Sequence, residues 1–406
     1  MSKTFCVMPW INVSTDPDGT IKPCCISRDV IKKSDGTPYN LGHDKIEDFF
    51  NSPDFVNIRE KMLKGEKVDG CSQCYQLEDY GLQSKRFFTN RSFPQHMNKT
   101  NTVVDPYTDI EYFDLRFGNL CNLKCRSCIP LNSSQLDKQV IENPKLKKFY
   151  RQSGFSINEW YETLTYEENV YSRLEKLSML YITGGETTLV KKNFDLLHKL
   201  VNEGHSKNIA LIINSNMTND KSLFYDLISQ FKRVLFFVSI DGVGKIQEYI
   251  RYPSNWEQIS SNFTKVVERK TDNLTIKVAP VVQIMNLGNL PELFEYCESF
   301  NRKYNKLTVE IFLNILENPY YLSLVNLPLD YKIKCWERIE KWVNTRCKYQ
   351  PQTFHLQLKT LKNKCFDDVD YKNKLDTFFE FNQLVDECQD VKMEEANPEV
   401  FALRNK

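Results

Sequence analysis

Cys121, Cys125 and Cys128 stand in FGNLCNLKCRSCIP, residues 117–130, as a C-x3-C-x2-C run. Gaps this short bring three thiolates around one centre without long-range folding. A structural zinc site is closed by four ligands, often as two separated C-x2-C pairs. Three local thiolates with no fourth Cys or His beside them point instead to an iron–sulfur cluster with one iron left open. Five more cysteines, Cys6, Cys24, Cys25, Cys71 and Cys74, lie in the N-terminal region and end in the C-x2-C of GCSQC. The remaining five, Cys297, Cys335, Cys347, Cys365 and Cys388, have long, irregular spacings and fall mostly on apolar helix faces. They read as buried thiols, since free cysteine behaves as a small hydrophobe. The five histidines neither cluster nor show ligand spacing, and no Ser/His/Asp or phosphate-loop pattern stands out.

The elements that must position these thiols form three regions. Residues 1–108 are loop-rich, with turn signals at DPDG, SDG and NLGHD and one helical stretch, KIEDFFNSPDFVNIREKMLKG. Residues 109–316 alternate strand-like and helix-like segments. The strands are IEYFDLRF, LSMLYIT, IALIINSN, VLFFVSID, TIKVAPVVQIMN and LTVEIFLNIL. Six strands joined by helical crossovers predict an α/β fold with a parallel sheet, open or curled into a partial barrel. Residues 317–406 are helical and charged. The triad of cysteines follows the first of the six strands, where barrel enzymes place their functional loops.

In this setting the chain resembles the radical S-adenosylmethionine (SAM) enzymes. Their hallmark is a C-x3-C-x2-C loop after the first strand of a partial (β/α)6 barrel, holding a 4Fe–4S cluster whose open iron binds SAM. The resemblance implies reductive cleavage of SAM to a 5′-deoxyadenosyl radical that abstracts a substrate hydrogen, with the protein positioning the cofactor. It extends through the middle region. Gly184, Gly185 and Glu186 in YITGGET match the family stretch that contacts the SAM amino group. Ser215 and Asn216, then Ser239 and Asp241, fall at the ends of the third and fourth strands and are expected to face SAM. Arg251 matches an arginine near the SAM carboxylate, and Gln283 and Asn286 sit at the next strand end. Two positions depart from the pattern: Ser127 stands where an aromatic usually precedes the third cysteine, and Thr187 replaces a proline after the GGE.

The N-terminal cysteines resemble the auxiliary-cluster module called SPASM or, in shortened form, twitch. The order is a cysteine, a G-x4-C, a gap, and then C-x2-C. The resemblance implies a second 4Fe–4S cluster on Cys6, Cys24, Cys71 and Cys74. Such modules commonly follow the barrel; this one precedes it. A four-thiolate zinc site is the alternative, because ligand type alone does not separate zinc from iron–sulfur. Cys25 is left over, as a substitute ligand, a hydrogen donor or a packed thiol.

The 54 Lys plus Arg nearly cancel the 53 Asp plus Glu, so no global field favours nucleic acid or an anionic membrane. KLKKFYRQ, residues 145–152, is locally basic with interleaved aromatics and reads as a solvated helix face, with a nucleic-acid contact the alternative. The N-terminus lacks the pattern of a signal peptide and no apolar run approaches the ~20 residues of a spanning helix, which predicts a cytoplasmic protein. An odd count of 13 cysteines argues against a disulfide framework there. Nothing resembles a reductase domain, so an external flavodoxin- or ferredoxin-like electron donor is implied. The substrate expected is a peptide or protein. A small metabolite or nucleotide is the alternative, and a non-catalytic metal-binding protein the alternative from another class.

Overall fold

The computed structural model describes every residue except 1–2, 80, 82, 151, 156, 221, 367–373 and 406. The chain divides into two compact units, each assembled from separate stretches of sequence. The first comprises Met1–Asn119, Ser156–Ile213 and Asp226–Val234; the second comprises Leu120–Phe155, Asn214–Tyr225 and Leu235–Lys406.

Strands β1 (Asn12–Thr15), β2 (Ile21–Lys22), β3 (Tyr112–Leu115), β4 (Met179–Ile182) and most of β5 (Ala210–Ser215) belong to the first unit and lie in the order β2-β1-β3-β4-β5. All of these pairings are parallel except β1 with β2. The N-terminal region is therefore less loop-like than its turn signals suggest: β1 runs beside β3 with Val13 opposite Phe113. Its β-branched Val13 and Thr15 suit a strand, and all four β1 residues are buried. The helical stretch of residues 45–65 is two helices, Ile46–Phe50 and Pro53–Leu63. Pro53 explains the break, since the residue before a proline leaves the helical region and proline suits the first turn of the next helix.

In the second unit most of β6 (Arg233–Val238), then β7 (Leu274–Val278), β8 (Val281–Val282), β9 (Val309–Ile311) and β10 (Asn314–Ile315) follow. β6, β7 and β9 are neighbours in that order, and β8 pairs parallel with β10 in a small separate sheet. The expected strand over residues 275–286 is thus split at Pro280, which has no N–H to donate to a ladder. Helices such as Trp256–Glu268 connect the strands. Its Ile259, Phe263, Val266 and Val267 form one buried stripe, and Asn255 caps it by accepting from the Gln258 amide at 2.9 Å. Alternating strands and helices with parallel pairing give the α/β class expected of a partial barrel.

β9 ends its sheet, and an open edge is a liability. The C-terminal region answers it: Ile311 N–H donates to Gln350 Oε1 at 2.9 Å, and Leu313 N–H to Gln357 Oε1 at 3.1 Å. Gln357 lies on the helix Gln352–Cys365. Among the described residues no helix is long and apolar enough to cross a membrane.

Candidate functional site

The cysteine loop of the second unit is held by its own backbone and by serines. Ser133 Oγ donates to the Leu123 carbonyl at 2.6 Å and also caps the following helix, Ser134–Glu142. Cys121 N–H donates to Ser134 Oγ at 3.3 Å. The Lys124 and Arg126 amides donate to the carbonyls of Tyr252 and Ile250 at 2.6 and 2.9 Å, tying the loop to the segment that carries Arg251. Cys121, Leu123 and Cys125 form one buried cluster with Cys128 packed against it, so the fold brings the three thiols together. Burial, reinforced by the neighbouring triad thiols, pushes the Cys125 and Cys128 thiols up, Cys128 to about 12, while Arg251 pulls the other way. A cationic metal centre among them would remove that penalty, so the donor set fits an iron–sulfur group.

Around the loop lie the residues expected at the strand ends. Arg251 grips Asp241 with Nε to Oδ2 at 2.7 Å and Nη2 to Oδ1 at 3.2 Å, and its Nη1 lies 4.0 Å from Cys125 Sγ. Asp241 is fully buried and also accepts from the Val281 amide at 2.8 Å. Asn286 donates to the Asp241 carbonyl at 2.8 Å. The carboxylate is thereby committed to aiming a guanidinium at the thiols. Asn216 performs a similar service: its Nδ2 donates to Asn122 Oδ1 at 3.1 Å, inside the first gap of the motif. Ser215 Oγ accepts from the Met217 amide at 3.1 Å, and Ser239 N–H donates to the Ser215 carbonyl at 2.9 Å. Gln283 is different. Its carboxamide is buried, yet neither Oε1 nor Nε2 has a partner. Orphaned buried amides are costly, and a polar ligand would satisfy this one.

Gly184, Gly185 and Glu186 belong to the first unit. Gly184 has φ +95° and Gly185 φ +56°. A Cβ on Gly184 would stand 2.9 Å from the Arg116 Cβ and 3.1 Å from the Gly118 carbonyl oxygen. Only glycine suits both the backbone and the space. Glu186 is buried and accepts from Thr188 Oγ1 at 2.7 Å, which holds the turn closed. Gly184→Ala is expected to cost about 1–3 kcal/mol of stability from the backbone alone. Urea unfolding checks this, and an unmoved midpoint would refute the steric argument.

The N-terminal thiols also converge within that unit. Burial pushes the Cys6 thiol well up, and Cys24, Cys71 and Cys74 add to the effect, so all four are near neighbours. Cys71 and Cys74 are raised for the same reason, with Arg86 acting against it at Cys71. Cys25, although adjacent to Cys24 in sequence, has another partner: Lys85 Nζ lies 2.9 Å from its Sγ. Lys85 also reaches Tyr112 OH and Asp114 Oδ2, each at 3.2 Å, and sits 4.9 Å from the Tyr181 ring centroid. Burial works against the Lys85 charge, but Cys25, Tyr112 and Asp114 together shift its pKa well above the usual lysine value. Burial and Asp114 push the Cys25 thiol up to about 12. Lys85 opens the helix Lys85–Ser92, an end that disfavours a cation, so Asp114 is needed to hold it.

None of Lys85, Tyr112, Asp114 and Tyr181 was flagged as functional by motif. The available signal lay in YFDLRF, where Tyr112, Asp114 and Arg116 alternate on one face of an otherwise apolar strand. Register adds Tyr181, directly opposite Asp114 on β4.

Residues 6–75 match the family described as SPASM, an iron–sulfur cluster-binding domain. The match falls on the N-terminal segment. It contains all five N-terminal cysteines and precedes the β3 cysteine loop, the order read from the sequence. The match covers that segment and leaves the β3 cysteine loop outside it. No curated protein matches the chain's sequence. Among solved structures the chain is similar to anSMEcpe with bound AdoMet and Cp18Cys peptide, at 15% identity and TM-score 0.35. That overlap covers 60% of this chain and 63% of that one. It is also similar to Streptococcus suis SuiB bound to the precursor peptide SuiA, at 13% identity and TM-score 0.34, covering 81% of this chain and 71% of that one. The chain spans less than two thirds of anSMEcpe, and likeness this shallow carries nothing about substrate.

Proposed function

We propose that the chain is a radical SAM enzyme that uses a SPASM-bound auxiliary cluster to modify a peptide or protein. The carrying observation is the buried thiol triad with a carboxylate-anchored guanidinium 4.0 Å from Cys125. Cys121, Cys125 and Cys128 would hold the first 4Fe–4S cluster, and Cys6, Cys24, Cys71 and Cys74 the auxiliary one. With a cluster and SAM bound at these thiols and an external flavodoxin- or ferredoxin-like electron donor, the site would supply a 5′-deoxyadenosyl radical for hydrogen abstraction. The protein's own contribution is positional. Arg251, fixed by Asp241, presents positive charge toward the thiolates and toward a SAM carboxylate. Gln283 offers an unused amide, and Ser215, Asn216 and Ser239 hold the adjoining strand ends. The Gly184–Gly185–Glu186 turn is the element that the resemblance assigns to the SAM amino group. Among the described residues no three Cys, His, Asp or Glu side chains converge closely enough to share one metal ion. Thiolate ligands serve zinc and iron–sulfur alike, so metal analysis separates the two at the N-terminal site.

In this reading Lys85 claims Cys25 and leaves Cys24 to the auxiliary cluster. After anaerobic reconstitution, Cys25→Ser is expected to keep the wild-type iron content. Cys24→Ala should lose about four atoms per chain, one cluster's worth. Colorimetric iron analysis decides the matter. Zinc in the N-terminal site, or iron loss in the Cys25 variant instead, would overturn the assignment.

A further inference from the structure

Arg126 lies inside the cysteine motif, between Cys125 and Cys128, yet its side chain is almost wholly buried and turns away from solvent. Every nitrogen of the guanidinium is used. Nε donates to the Tyr249 carbonyl at 2.9 Å, Nη1 to Asn382 Oδ1 at 3.0 Å, and Nη2 to Asp386 Oδ1 at 2.6 Å. The guanidinium carbon also stacks 3.6 Å from the Tyr249 ring centroid. Tyr249 OH donates to the same Asp386 oxygen at 2.8 Å. Asn382 and Asp386 are one turn apart on the helix Lys374–Gln389, and Gln389 at its end donates to the Lys124 carbonyl at 3.3 Å. One face of a C-terminal helix thus grips the loop at Lys124 and Arg126, on either side of Cys125.

We infer that this helix is a clamp for the triad cluster, with Arg126 as the positioning residue that transmits it. The inference rests on the radical SAM reading and extends it to residues some 250 positions downstream of the motif. The chemistry requires this residue type. A loop of thiolates that repel one another spreads unless its backbone is fixed from outside. A planar cation with five donors can meet a carbonyl, an amide and a carboxylate at once. Its charge balances Asp386, so the anchor adds no net charge beside the cluster. On the other side of Cys125, Arg251 is held by Asp241, so each flank of the central thiol has its own anchored arginine.

The test uses the full chain, reconstituted anaerobically, as wild type and as Arg126→Gln, Arg126→Lys and Asp386→Asn. Two quantities are read: iron release to a ferrous chelator, and the EPR signal of the reduced protein with and without SAM. Only the cluster with an open iron responds to added SAM, so its signal is separable from the auxiliary one. Arg126→Gln should release the SAM-responsive cluster about 10–100-fold faster, the range for lost outer-shell support, and shift its EPR signal. The auxiliary signal should stay unchanged. Arg126→Lys should restore part of the effect, and Asp386→Asn should show a smaller loss of the same kind. If Arg126→Gln does not fold, Asp386→Asn decides by the same readings. Wild-type release rates and spectra in the folded variants, or equal loss of both clusters, would overturn the clamp. A wild-type protein with no SAM-responsive cluster would overturn the radical SAM reading and the clamp with it.

Discussion

Replacing Cys121, Cys125 and Cys128 together by Ala is expected to halve the iron of the reconstituted protein, from about eight atoms per chain to about four. The remaining absorbance and EPR signal should be those of the auxiliary cluster alone and should not respond to SAM. The argument is one of donors. The three thiols lie together, and burial disfavours ionisation of Cys125 and Cys128. Without a cationic centre such thiols stay protonated; with one, they would ionise and become a ligand set. Because the auxiliary thiols cluster separately around Cys6, the triad variant should retain them. Full iron content in that variant would show that the triad is not a cluster site.

The second large effect concerns stability and needs no cofactor. Arg251→Met removes the cation from Asp241, which is wholly inaccessible to solvent. An isolated buried carboxylate is far worse than a buried pair, and breaking such pairs costs about 3–5 kcal/mol. The Val281 amide still serves Asp241 Oδ1, which places the expected loss near the lower end. Arg251→Met with Asp241→Asn should recover much of it, because the neutral amide keeps the shape without the stranded charge. Denaturant unfolding of the apo protein measures both. A single variant within about 0.5 kcal/mol of wild type would mean that the pair behaves like an exposed surface bridge.

The legible parts of this chain were those whose meaning is local. The spacing of Cys121, Cys125 and Cys128 is a property of eight consecutive residues, and the GGE turn declares itself by two glycines with positive φ. The strands were readable wherever burial alternates, as in β5 and β6. What escaped was made by the fold. Arg126 looked like an ordinary position inside a motif, and nothing in the sequence ties it to Asn382 and Asp386. Lys85 and Asp114 meet only because β3 and the helix Lys85–Ser92 pack together. β1 was hidden by the turns around it, since four residues give too short a run to outweigh DPDG. Asp241 was read as a ligand contact, whereas its carboxylate is engaged by Arg251 and the Val281 amide. Its effect on a ligand would come through that arginine.

The proposed function stands on SAM cleavage at the triad. The direct measurement is 5′-deoxyadenosine, quantified by mass spectrometry after anaerobic incubation of the reconstituted protein with SAM and a low-potential reductant. The account predicts formation that depends on reductant and is abolished by Cys125→Ala. No 5′-deoxyadenosine from fully loaded wild-type protein, or equal amounts from the variant, would contradict it.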